Sequence, residues 1–210
     1  MGIPTRTDCL NLFWLGRYTT RTLGTLTLGL EVLRCLARGF PWPKAYEGVL
    51  GRLPLAQEAL PWFLDTVVRQ EEPPGVGFAL KMAREDAICL RGLLGTKAVT
   101  LVNLAGQEAM AIQESNVLQA PQRILAFGNA LLVHTKERLG AEWAWMFELG
   151  GFVEALDLRL SVLDMEGALH AASRLNGLFQ ENGLAIAPLE QLTLPSLEEK
   201  VHAFERMLSV

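Results

Sequence analysis

DCLNLFWLGRYTTRTLGTLTLGLEVLRCLAR, residues 8 to 38, decides the fold class. Leu12, Leu15, Leu23, Leu26, Leu30 and Leu33 recur at three- and four-residue steps, with Thr19 filling the gap. That spacing lines one side of an α-helix and makes a seam for other helices. Asp8 can cap the first turn, and Gly39 followed by Pro41 ends the helix. Gly16, Gly24 and Gly29 each weaken it by about 1 kcal/mol relative to Ala. Close packing against another helix is the expected compensation.

Beyond this helix, Pro41, Pro43, Pro54, Gly48 and Gly51 mark a connection over Phe40 to Pro54, with one short helix around Lys44 to Leu50. A helical pattern over Leu55 to Gln70 contains Pro61, which either kinks it or marks its first turn. EEPPGVG, Glu71 to Gly77, breaks the chain, and helices are predicted over Phe78 to Leu94 and Thr96 to Gln113, divided by Gly95. Ala120 to Leu139 and Ala141 to Asp164 form a second pair around Gly140. Met165 to Gln180 stops at Asn182-Gly183, and Ser196 with Glu199 forms a capping box opening Leu197 to Leu208. No strand is expected, even in Gly183 to Pro195. The reading is all-α: a single multi-helix bundle of about seven helices in up-and-down antiparallel pairs with a long first helix. It forms one domain over 1–210, with 1–164 as the core and 165–210 as C-terminal helices.

Composition narrows the function. A net charge of -4 argues against a general nucleic-acid binder, which needs clustered Lys and Arg. A hydrophobic share of 50% and a mean hydropathy of +0.22 call for extensive internal burial or a covering partner. Met1 to Asp8 has no signal-peptide pattern, and no uncharged apolar run reaches membrane-spanning length, so a cytoplasmic chain without a membrane association is expected. Cys9, Cys35 and Cys89 are widely spaced with no histidine at ligand distance, and are read as buried small hydrophobes rather than a metal site. Gly75-Val76-Gly77 lacks the strand and third glycine of a dinucleotide fingerprint. His134, His170 and His202 have no partner at i, i+4. No cofactor or metal is expected, and no catalytic residue is identified.

Charges placed within apolar helices stand out instead. Arg17 and Arg21 are four apart and share a helix side with Trp14, Tyr18 and Leu28. Glu154, Asp157, Ser161 and Asp164 step on from Gly150 as an acidic stripe beside the apolar row Met146, Leu149, Val153, Leu156, Leu160 and Leu163. Arg84 and Arg91, seven apart, also share a face. These stripes are either solvated or meet inside the bundle as a desolvated ion pair.

Asn11-Leu12-Phe13-Trp14-Leu15-Gly16-Arg17-Tyr18 with Arg21 resembles the opening of the alpha-E domain family, whose members begin N-L-Y-W-L-G-R-Y-x-E-R. Met82-Ala83-Arg84-Glu85-Asp86-Ala87, then Arg91 and Asn103, is similar to its second block, A-R-E-N-A with a following Arg and a later L-N. Phe147-Glu148-Leu149-Gly150 through Glu154 and Asp157 to Leu163-Asp164 resembles the third, F-x-x-L-G-R-x-x-E-R-A-D and a final L-D. The sequence departs at Thr20, where the first block has Glu, at Leu23 in place of a second Glu, and at Gly151 and Ala155, where the third has Arg. Each Glu-Arg motif has kept the opposite half. One Arg and one Glu still suffice for a cross-helix ion pair, so a retained structural bridge is favoured over an intact active site.

Through association with circularly permuted ATP-grasp ligases and transglutaminase-like peptidases, the resemblance implies a role in making or processing amide bonds. The phosphate-binding and magnesium-binding groups of an ATP-grasp reaction are not evident. The expectation is therefore a non-catalytic helical partner or substrate-binding subunit of an ATP-grasp ligase. The charge cluster Arg17, Arg21, Arg84, Arg91, Glu85, Glu154 and Asp157 then serves binding or structure. Two alternatives stand beside it: an enzyme in which Arg17, Arg21 and Arg84 grip an anionic substrate while Glu154 or Asp157 handles a proton, and a self-associating homodimer.

Overall fold

Thr5, rather than Asp8, caps the first helix. The Thr5 hydroxyl accepts from the Asp8 amide at 3.2 Å, and the Asp8 carboxylate accepts from the Thr5 amide at 2.8 Å, a reciprocal capping box. Asp8 is the third residue of the helix, so its carboxylate reaches back to the cap. The computed structural model describes residues 4–41, 43–46, 49, 63–73 and 75–182. Helix α1 spans Arg6–Ala37 and ends in a glycine cap, Gly39 with φ 69° and the Phe40 amide bonded to the Cys35 carbonyl.

Short pieces follow: a 3-10 turn at Lys44–Tyr46 and a π-helical segment at Phe63–Arg69. The rest of the Leu55 to Gln70 pattern, with Pro61, lies outside the described residues, as do the loop and helix expected over 183–208. Gly75 and Gly77 meet the Arg69 and Gln70 backbone, and the Phe78 amide donates to the Gln70 carbonyl at 3.0 Å. Those glycines serve close chain approach.

Helix α2 is Val76–Cys89, shorter than the Phe78 to Leu94 reading because the chain turns at Leu90 before the one-turn α3, Arg91–Leu94. Helices α4, Thr96–Met110, and α5, Ala120–Leu139, follow, then α6, Ala141–Ser161, and α7, Met165–Glu181. The described residues are all-α, with antiparallel contacts between successive helices. Among them no helix is long and apolar enough to cross a membrane.

Helix α1 is the axis of the bundle, packing on α2, α5 and, most extensively, α6. Leu12, Leu15, Leu26, Leu30 and Leu33 of its seam are buried, while Leu23 is half-buried against Gly128 of α5. Fourteen α1 residues are buried around the helix, eight of them Leu, Phe or Val. The apolar row of α6 is buried up to Leu160, but Leu163 is 71% exposed and adopts φ 57°. The cysteines also differ from expectation: Cys9 and Cys35 are half-buried and Cys89 is exposed, each a free thiol. Helix ends and surface turns, not the core, hold them.

Candidate functional site

Two glycines let α1 and α6 touch backbone to backbone. A Cβ on Gly16 would collide with the Phe147 carbonyl, and one on Gly150 with the Phe13 carbonyl. These contacts are reciprocal, because Phe13-x-Leu15-Gly16 recurs as Phe147-x-Leu149-Gly150. Further along, Arg17 meets Glu154 and Gly24 faces Leu158, so the two helices run in the same direction about a local pseudo-two-fold. Small residues at a close crossing let flanking long side chains reach across.

Arg17 and Glu154 do so. Arg17 Nε donates to Glu154 Oε2 at 2.9 Å, and Arg21 Nε donates to Glu154 Oε1 at 2.5 Å. Both arginines also approach Asp157 Oδ2, Arg17 at 3.5 Å and Arg21 at 3.7 Å. The Glu154 side chain is 1% exposed, Arg17 7% and Arg21 25%, so the network opens outward from a buried carboxylate to a half-exposed Asp157. The Arg17 guanidinium lies 5.2 Å from the Trp14 ring, and Trp14 stacks on Tyr18. Each oxygen of the buried carboxylate thus has a charged donor, which is what a desolvated Glu requires.

Arg84, Arg91 and Glu85 do not join this network. Arg84 sits on the exposed side of α2, where its Nε donates to Asn103 of α4 at 2.7 Å, and Arg91 and Glu85 are exposed. The acidic stripe divides similarly: Ser161 donates to the Asp157 carbonyl, and Asp164 pairs with Arg159 at the end of α6.

The pseudo-two-fold pairs each member of the ionic network with an uncharged position, Thr20, Gly151 or Ala155. Arg17 with Glu154 has as its symmetry mate Gly151 with Thr20, and a Cβ on Gly151 would lie 3.0 Å from the Thr20 hydroxyl. Arg21 with Glu154 has as its mate Ala155 with Thr20. The crossing is ionic on one side and uncharged on the other. With all three positions uncharged, no buried charge is left without a partner, which would cost about 3 to 5 kcal/mol.

Asp86 of α2 was not singled out from the sequence. One of its carboxyl oxygens is buried without a hydrogen-bond partner, and burial, then the neighbouring Glu85 charge, pushes its pKa up to about 7. It faces Tyr18, whose phenol is raised by burial first and by the Asp86 charge second, with Arg21 and Arg17 opposing.

Three concavities lined by described residues lie elsewhere in the bundle. A cavity of about 20 Å³ lies between α1, α2, α4 and α5 beside Thr19, Thr22 and Leu131, room for about one water-sized sphere. A groove of about 540 Å³ separates α6 from α7, and a hollow of about 420 Å³ lies around Lys136, Trp145 and Glu148. Arg17, Arg21, Glu154 and Asp157 line none of the three. Among the described residues, no group of three or more His, Cys, Asp and Glu is arranged to hold a metal ion. No family model matches the chain, and no curated protein or solved structure matches it.

Proposed function

We propose that this chain is a divergent alpha-E-like domain acting as a non-catalytic helical partner of an ATP-grasp-type ligase in a peptide- or amide-modifying system. The observation that carries the non-catalytic part is the occupancy of the two arginines: Glu154 and Asp157 hold Arg17 and Arg21 at a glycine-tightened crossing. An interior enzyme needs open space beside these guanidinium groups for an anionic substrate, and protein carboxylates fill that role here. The ligase as partner rests on the three sequence blocks, of which the first and third meet in the ion pair and the second supplies the Arg84–Asn103 bond.

Co-expression of the chain with the ATP-grasp product of a neighbouring gene tests this, read by affinity capture and light scattering. The expected result is a complex that survives gel filtration. A chain that stays monomeric and captures no ligase overturns the proposal. Self-association is the second reading, favoured by Met165 and Leu169, one turn apart on α7 and 40% and 53% exposed. The same light-scattering run identifies it as a dimer mass without ligase.

A further inference from the structure

Arg174 of α7 stands with its guanidinium carbon 5.2 Å from the centre of the Phe152 ring of α6. A cation held over a ring face keeps its N–H groups available to another acceptor. No carboxylate of the described residues pairs with it. His170 lies one turn earlier on the same face of α7, and Arg159 projects from α6 into the same groove of about 540 Å³.

Arg159 is fixed by a different device. Its Nη1 donates to Asp164 Oδ2 at 2.8 Å, and the Asp164 carboxylate also accepts from the Gly167 amide at 2.9 Å. A Cβ on Gly167 would come within 2.8 Å of Arg159 Cδ, so this glycine gives the arginine stem room against the first turn of α7. Two arginines on opposing helices are thereby positioned independently around one concavity, with an apolar floor of Phe152, Ala155 and Ala171.

We propose that this groove binds a small organic monocarboxylate, with the carboxylate on the Arg174 fork and His170 and the carbon skeleton on the apolar floor. A guanidinium edge matches a carboxylate in two parallel hydrogen bonds. The volume lies within the range of small-molecule sites, roughly 300 to 1,000 Å³. Asp164 and Glu166 balance the formal charges of Arg159 and Arg174, so the groove has no net positive charge for a dianion such as phosphate, and a monocarboxylate is held by local donors. The groove contains none of Arg17, Arg21, Glu154 and Asp157, so the proposal stands or falls separately from the ligase reading.

Phenylacetate, phenylacetamide and inorganic phosphate, each titrated into the full chain by calorimetry, test it. Phenylacetate is expected to bind saturably, with the amide and phosphate at least about tenfold weaker, the loss of a charge-assisted bond. Arg174→Gln should lower phenylacetate affinity by about tenfold with unchanged circular dichroism, and Gly167→Ala, which displaces Arg159, by a smaller factor. The proposal is overturned by no saturable phenylacetate binding up to about 10 mM, a generous limit for so small a ligand. It is equally overturned by an amide that binds as well as the acid, by phosphate binding more tightly, or by an Arg174→Gln variant with unaltered affinity.

Discussion

Arg17 Nε lies 2.9 Å from Glu154 Oε2 although 137 residues separate them, which places this bond among the longest-range constraints in the chain. Glu154 is the inner member, with both oxygens committed to Arg17 and Arg21. Glu154→Ala removes the buried carboxylate that both guanidinium groups share, leaving them the longer Asp157 contacts, and is expected to cost about 3 kcal/mol in urea unfolding. Arg21→Ala should cost less, about 1 to 2 kcal/mol, because Arg21 is partly exposed and Arg17 still satisfies the carboxylate. Equal stability of all three proteins would mean the network is solvated and idle.

Glycines in the same bundle should respond to Ala with opposite signs. At Gly16 and Gly150 a Cβ meets a backbone carbonyl of the opposing helix, which cannot rotate away. Either substitution must part α1 from α6 and stretch the Arg17–Glu154 bond. A loss of about 2 to 4 kcal/mol is expected, outweighing the helix-propensity benefit of about 1 kcal/mol. Gly106 in α4 has no neighbouring atom within 4 Å of the added Cβ, so Gly106→Ala should stabilise by about 0.5 to 1 kcal/mol. Thermal melts of the three variants check both signs.

Much of this was legible in residue spacing, and the remainder required geometry. Ala120 to Leu139 has the same bounds in the sequence reading and the structure, because Pro121 in its first turn and Gly140 beyond its end are local signals. The two charge stripes on α1 and α6 were legible as residue types, since charged side chains at helical spacing among leucines need partners. Their register was not. It depends on the shared direction of α1 and α6, which follows from the path of every helix between them. The Phe-x-Leu-Gly repeat was the available signal for that crossing. Asp86 escaped because its burial arises from the packing of α2 on α1, which brings it near Tyr18.

Asp86 should make stability fall as pH rises. Its folded pKa of about 7 lies above the ordinary aspartate value, about 3.9. Between those values the native state holds a proton that the unfolded chain has released, so the slope of unfolding free energy against pH is negative there. Below this window the group contributes no pH dependence, and above it the full penalty of the buried charge is present. Asp86→Asn should match the parent near pH 4 and surpass it near pH 8 in urea midpoints. A difference that does not change with pH rules out this origin.

Leu163 occupies the position at which α6 ends in a left-handed residue. The Asp164 amide bonds to the Arg159 carbonyl at 2.9 Å and the Leu163 amide to Leu160 at 3.0 Å, the paired bonds that Gly39 completes at the end of α1. A Leu with φ 57° costs about 1 to 2 kcal/mol relative to a right-handed residue, and its exposed side chain recovers little of that. Leu163→Gly is expected to raise stability by about 1 kcal/mol in urea unfolding, without altering helix content. Loss of stability would mean that Leu163 is covered by a contact outside the described residues.

The pseudo-two-fold yields the most demanding test, because it predicts coupling between positions that now carry no charge. Thr20, Gly151 and Ala155 are the symmetry mates of Glu154, Arg17 and Arg21 about the crossing of Gly16 and Gly150. Thr20→Glu alone places a carboxylate on half-buried backbone with no matching arginine on α6, and should destabilise by about 1 to 3 kcal/mol. Gly151→Arg alone sets a guanidinium opposite the Thr20 hydroxyl, with a similar cost. Combined, the two substitutions recreate on the second side the bond that Arg17 makes with Glu154 on the first. A double-mutant cycle in urea should then return a favourable coupling of about 1 to 3 kcal/mol. The coupling should vanish when Gly150→Ala forces the helices apart, since both ion pairs rely on the same backbone contact. Additive single-variant effects would show that the recurrence of Phe-x-Leu-Gly does not extend to the charged positions beside it.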